Sequence, residues 1–214
     1  MKLNYIHNGD CLELMKTMPD KCVDLVLTDP PYGIGEHGGK KRFNPNRPSY
    51  ERKKSVSKYP KGNWDNKRVG EEYFKEIFRV SKEQIIFGGN YYCDYLPPSM
   101  GWIFWDKMFE NQDFSDGELV FTSYKRALKK IRMSSKKGTR GGQTRVHPTQ
   151  KPLPLITWIL ANYSKEGMTV LDPFLGSGTT AVACKQLKRN YIGCEISKKY
   201  CEIAEQRLAQ ELLF

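Results

Sequence analysis

Long apolar runs are absent from this 214-residue chain, and none approaches the roughly 18 residues that cross a bilayer. The opening MKLNYIHNGD lacks the apolar stretch of a secretory signal. The expectation is a soluble, cytoplasmic protein with no membrane partner. No C-x-x-C pair occurs among Cys11, Cys22, Cys93, Cys184, Cys194 and Cys201, which removes the usual zinc-ribbon and dithiol spacings. Several lie in apolar stretches such as Tyr191-Ile192-Gly193-Cys194, as reduced thiols serving as small core residues would. The three histidines, His7, His37 and His147, are too scattered to suggest a zinc site, and no metal is expected.

Positive charge is what the chain has in excess. The net charge is +11, and two segments hold all of it. Residues 36–68 carry eleven Lys/Arg against three acids, and 125–145 carry nine against none, so the rest of the chain is acidic overall. One such run is ordinarily a solvated face, whereas two on an acidic body resemble a footprint for phosphates. Phe43, Tyr50, Tyr59 and Trp64 are interleaved with the first and could pack locally or stack on bases.

The length suits a single domain, 1–214. A short strand at 4–8, a helix at 11–18 stopped by Pro19, and an apolar strand at 23–28 form a β-α-β unit running into Asp29. Residues 33–68, rich in Gly, Pro, Asn and Lys, are too long for an ordinary connection, so 36–68 reads as a flexible basic insertion. Helix is expected again at 71–80, where Tyr73, Phe74, Ile77 and Phe78 share a face, then strands at 84–87, 102–105 and 119–122. Pro152 suits a first helical turn, with Ile156, Ile159, Leu160 and Tyr163 as its apolar stripe. A strand at 168–171, a helix at 178–187, a strand at 190–194 and a helix N-capped by Ser197 complete the chain. Alternation of this kind predicts an α/β fold, a mostly parallel sheet with helices on both faces.

Two motifs carry chemistry. In Asp172-Pro173-Phe174-Leu175-Gly176-Ser177-Gly178-Thr179-Thr180, a strand turns into a helix through glycines that admit a ligand close to the backbone. Glu195 ends the next strand, where a carboxylate could accept from both ribose hydroxyls, so the pair describes a nucleoside cofactor site. The glycines alone would equally serve a tight strand–helix turn. A P-loop is disfavoured, because no Lys follows the last glycine. The second motif, Thr28-Asp29-Pro30-Pro31-Tyr32-Gly33, follows a buried strand. A carboxylate, carbonyls freed by the Pro-Pro pair and an aromatic ring suit an exocyclic amine on a flat base, although Asp-Pro-Pro is also an ordinary turn signal.

With both motifs in place, the chain resembles the β-class DNA amino-methyltransferases, in which the target-base motif precedes the cofactor motif. The resemblance implies a Rossmann-like S-adenosylmethionine-dependent methyltransferase fold with permuted motif order. Asn8-Gly9-Asp10-Cys11 resembles the segment at the cofactor's adenine, and Trp102-Ile103-Phe104-Trp105-Asp106-Lys107 the aromatic strand lining the base pocket. His147-Pro148-Thr149-Gln150-Lys151-Pro152 resembles the segment closing over the methionyl group.

Carried over, Asp29, Pro30, Pro31 and Tyr32 are the catalytic candidates. Asp10, Cys11, Thr149, Lys151, Asp172, Phe174, Gly176, Ser177, Gly178, Thr179 and Glu195 are the candidates for S-adenosylmethionine. Residues 107–146 stand where relatives carry target recognition, with Arg132, Arg140 and Arg145 as base-contact candidates. Lys40, Lys41 and Arg42 are candidates for phosphates. The implied reaction is direct methyl transfer to an amino nitrogen of a base flipped out of double-stranded DNA. Asp at position 29 resembles the adenine-N6 members, whereas Ser is common there in cytosine-N4 members. Cytosine methylation, or an inactive DNA-binding relative, stays open as the alternative. No covalent cysteine is needed, and Cys22 is not in a Pro-Cys setting. Relatives often form homodimers, and the compactness resembles solitary, phage-type members.

Overall fold

The computed structural model describes residues 2–34, 67–108, 115–134 and 150–210. Among the described residues the sheet has eight strands, β1 (Tyr5–Asn8), β2 (Val23–Thr28), β3 (Ser81–Phe87), β4 (Ile103–Asp106), β5 (Gly117–Thr122), β6 (Lys129–Arg132), β7 (Thr169–Asp172) and β8 (Asn190–Glu195). Their order is β1-β8-β7-β2-β3-β5-β4-β6. Five of the seven pairings are parallel; only β3–β5 and β4–β5 run antiparallel.

Helices α1 (Cys11–Lys16), α2 (Glu71–Val80), α3 (Leu153–Tyr163), α4 (Thr179–Gln186) and α5 (Lys198–Ala209) cover both faces. Along β2 and β3 the side chains alternate between two cores. Leu25, Leu27, Ile85 and Phe87 pack with α3 and α4, while Val26 and Ile86 pack with α1 and α2. α3 runs Leu-Pro-Leu-Ile-Thr-Trp-Ile-Leu and buries Leu153, Leu155, Ile156, Ile159 and Leu160, as a helix packed against α4 and into the core on one face of the sheet does. Cys11, Cys184, Cys194 and Cys201 are buried, Cys22 is half-buried and Cys93 is exposed.

The expected α/β architecture is present, with two differences. β3 begins at Ser81, because α2 passes into it without a loop and the Ser81 hydroxyl caps the Ile77 carbonyl at 2.5 Å. β6 lies inside the second basic segment and was not expected from its composition. Lys-Lys-Ile-Arg offers one apolar residue, Ile131, and an edge strand needs no more. The parallel order sets the carboxyl ends of β1, β8, β7 and β2 side by side along one edge, where ligands bind in open α/β sheets.

Candidate active site

Along that edge runs a cavity of about 360 Å³, lined from Glu195, Gly176 and Asp10 at one end to Asp29, Phe87 and Lys151 at the other. Its size is that of a small-molecule pocket.

At the first end, the turn between β7 and α4 places Gly176 (φ +54°) and Gly178 (φ +82°) in the left-handed region. A side chain at Gly178 would also meet the Ala204 methyl of α5 at 2.6 Å, whereas one at Gly176 would enter open space. Glu195 locks the turn, accepting from the amides of Gly176 (2.9 Å) and Ser197 (2.8 Å). Burial pushes its carboxyl up, against those amide donors. Arg207 of α5 holds the turn from behind, donating to the Ser177 carbonyl and, at 3.3 Å, to the Thr179 hydroxyl. Asp10 caps α1 through the Leu12 amide at 2.8 Å, and Phe174 lies 6.0 Å from the Tyr73 ring.

A carboxylate with acceptor capacity left, a glycine opening and an aromatic wall suit a nucleoside whose ribose faces Glu195. The sequence candidates Asp10, Cys11, Asp172, Phe174, Gly176, Ser177, Thr179 and Glu195 all line this cavity, and Gly178 shapes its turn. Asp172 stands midway. It accepts from the Thr28 hydroxyl at 2.8 Å and the Phe174 amide at 3.2 Å, and burial pushes its carboxyl up to about 6.

The other end is assembled by charge. Asp29 follows β2, and its Oδ2 lies 2.6 Å from the Lys151 ammonium. Tyr32 donates toward the carboxylates of both Asp29 and Glu118, the latter at 2.8 Å, with one proton for the two. Lys151 also lies 3.0 Å from Glu118, whose other oxygen is 3.1 Å from the Lys107 ammonium. Burial and the Glu118 charge raise the Asp29 carboxyl, and Lys151 opposes them. At Glu118 burial is outweighed by the two lysines, so its carboxyl is lowered.

Tyr32 stacks on Tyr91 with centroids 4.6 Å apart and planes at 15°. Gly88, at φ +64°, lies against the same ring, and a Cβ there would overlap it. Tyr92 donates to the Pro31 carbonyl and fixes the turn.

Lys151 lines the same cavity and is ion-paired with Asp29 at its charged end. Glu118 was not among the sequence candidates, and Lys107 was named only as the last residue of the aromatic segment. The one signal for Glu118 was an acid opening an otherwise apolar strand, and the register opposite Trp105 is what aims it at Asp29's cluster. The aromatic segment around β4 also differs. Trp105 is core, its indole N–H donating to the Met133 carbonyl at 2.8 Å, and Trp102 packs edge-on against Phe121. Arg132 sits on edge strand β6 and pairs with Asp106 at 3.1 Å. Lys40, Lys41, Arg42, Arg140, Arg145 and Thr149 lie outside the described residues.

Solved neighbours include the M1.HpyAVI–SAM complex, with TM-score 0.60, 24% identity and coverage of 96% of this chain and 98% of that one. The cytosine-N4-specific PvuII DNA methyltransferase aligns with TM-score 0.63 at 14% identity, over 100% and 89% of the two chains. These likenesses define the fold as that of the Rossmann-like methyltransferases.

The model of the DNA methylase family matches residues 97–206. The type II methyltransferase M.HpaI of Haemophilus parainfluenzae is 30% identical over 246 residues, covering 95% of this chain and 73% of its own. M.HinfI of Haemophilus influenzae is 28% identical, covering 97% and 69%. The chain belongs to the DNA methylase family and is an S-adenosylmethionine-dependent DNA amino-methyltransferase.

Proposed function

We propose that the chain methylates the exocyclic 6-amino group of adenine, acting on a base turned out of double-stranded DNA. The observation that carries this reading is the Asp29 carboxylate, held in a Pro-Pro-Tyr turn at the target end of a cavity whose far end is Glu195. Asp at this position is the adenine-type residue of the resemblance noted in the sequence.

Glu195 would accept from the ribose hydroxyls of S-adenosylmethionine, with Phe174, Asp10 and the glycine turn around the nucleoside. When bound, that cofactor supplies an electrophilic methyl on a sulfonium. Asp29 and the Pro30 carbonyl would accept the two N–H groups of the target amine. The Asp29 oxygens already serve Lys151 and Tyr32, yet each has a second lone pair. Acceptance by both groups draws the nitrogen lone pair out of conjugation and frees it to attack. Positive charge then grows on the nitrogen beside a carboxylate, an interaction stronger in the transition state than in the ground state. The proton the nitrogen sheds has an acceptor in Asp29, whose carboxyl burial already raises.

The whole chain would act as one methyltransferase domain, with 36–68 and 125–145 meeting the phosphates. Lys129, Lys130 and Arg132 on β6 are among the described members of that surface. The test is chemical. Duplex DNA methylated by the purified protein is digested to nucleosides, and N6-methyldeoxyadenosine is the expected product. N4-methyldeoxycytidine in its place would overturn the choice of base.

A further inference from the structure

Four charged side chains crowd the target end, and the proposed transfer uses only one of them directly. Asp29, Glu118, Lys107 and Lys151 have side chains 21%, 11%, 17% and 12% exposed. Burying four charges costs more than filling the space with apolar groups, so a merely structural role explains them poorly. Their connectivity suggests another. The Lys151 ammonium bridges the two carboxylates, 2.6 Å from Asp29 and 3.0 Å from Glu118, and the Tyr32 hydroxyl bridges the same two. If Lys151 faced Asp29 alone, its whole attraction would fall on the group that must accept the amine.

We propose that Glu118 is a positioning residue for methyl transfer: from β5 it shares Lys151 and Tyr32 with Asp29, and so sets how strongly Lys151 grips the acceptor. Lys107 anchors Glu118 from the end of β4 and balances the cluster, two cations against two carboxylates. The charged and titratable groups facing Asp29 are Tyr32 on its own turn, Glu118 on β5, Lys151 before α3 and, more distantly, Asp172 on β7. This inference rests on Asp29 being the acceptor of the target amine.

The two neighbours of Lys151 make opposite predictions. Glu118→Gln keeps an acceptor but removes the charge, so Lys151 tightens on Asp29 and its carboxyl becomes more acidic. Lys107→Gln leaves Glu118 less compensated; it draws Lys151 away, and Asp29 becomes less acidic. The experiment is single-turnover methylation of duplex DNA across pH at saturating cofactor, for wild type, both variants and Asp29→Asn. The acid limb of the rate profile should move down in Glu118→Gln and up in Lys107→Gln. Limbs that coincide with wild type, or move the same way, overturn the assignment. Lys107→Gln sits at the edge of the cluster, so its upward shift is decisive even if Glu118→Gln fails to fold. Wild-type rates in Asp29→Asn would overturn the proposed acceptor itself. An inactive Asp29→Asn beside unmoved limbs would remove only the role of Glu118.

Discussion

The two ends of the cavity are built on different principles. At the cofactor end the groups come from short, contiguous turns: Gly176 and Ser177 after β7, Glu195 and Ser197 at β8, tied by backbone amides. At the target end they come from four separated segments, with Asp29, Lys107, Glu118 and Lys151 held by side-chain charge. Backbone donors are fixed by the fold and have little freedom to leave. Ammonium groups on flexible stems can exchange partners when an amine arrives. The comparison teaches that the glycine-turn end is preformed, while the charged end is a balance that a ligand can redistribute.

The largest expected effect separates the two ends outright. Asp29→Ala should lower methyl transfer by roughly 1000-fold or more, comparable to losing a transition-state donor elsewhere, while cofactor affinity stays within a few-fold. Calorimetric titration of S-adenosylmethionine into the variant checks this, since a matching loss of affinity would put Asp29 in the cofactor site. Next comes stability at the charged end. Lys151→Met leaves Asp29 and Glu118 facing each other without their shared cation, and should destabilise the fold by about 3–5 kcal/mol in denaturant unfolding.

Asp172, between the ends, gives a pH-dependent effect of opposite sign. Its carboxyl is raised from 3.8 to about 6, so the folded state favours the protonated form. That preference is fully present below the unfolded value and is lost as pH rises through about 6. Asp172→Asn should therefore stabilise the protein at pH 8 by on the order of 3 kcal/mol and change little at pH 3. Thermal unfolding at the two pH values checks the sign; equal gains at both would show that ionisation of Asp172 is not the cause.

At the preformed end, Glu195→Ala should weaken the cofactor by about 1.5–3 kcal/mol, the worth of hydrogen bonds to a charged acceptor. An unchanged affinity in a folded variant would remove the ribose assignment. The smallest effect concerns the edge strand. Duplex binding should fall with salt at a log–log slope of about −4 or steeper, and neutralising Lys130 and Arg132 should flatten it by roughly one for each phosphate left without its cation. An unchanged slope would leave both residues paired with Asp106 and not with phosphate.

What the sequence determined by itself is the part written in neighbours. Asp29-Pro30-Pro31-Tyr32 after an apolar strand, Gly176 to Thr179 between strand and helix, and Glu195 at a strand end were legible because a few consecutive residues fix their own backbone. The helical faces of α2 and α3 and the near-continuous burial of the apolar β2 follow from the same local patterns. The tertiary structure alone decided the cluster around Asp29. Glu118 reaches it because β5 runs antiparallel between β3 and β4, and Lys151 because the chain before α3 returns to the carboxyl edge of β2. Arg207 behind the glycine turn and β6 at the sheet edge are decided likewise. Charge attraction between residues 122 and 33 positions apart leaves no trace in local pattern, since a lysine reads the same in sequence whether it faces solvent or a buried carboxylate.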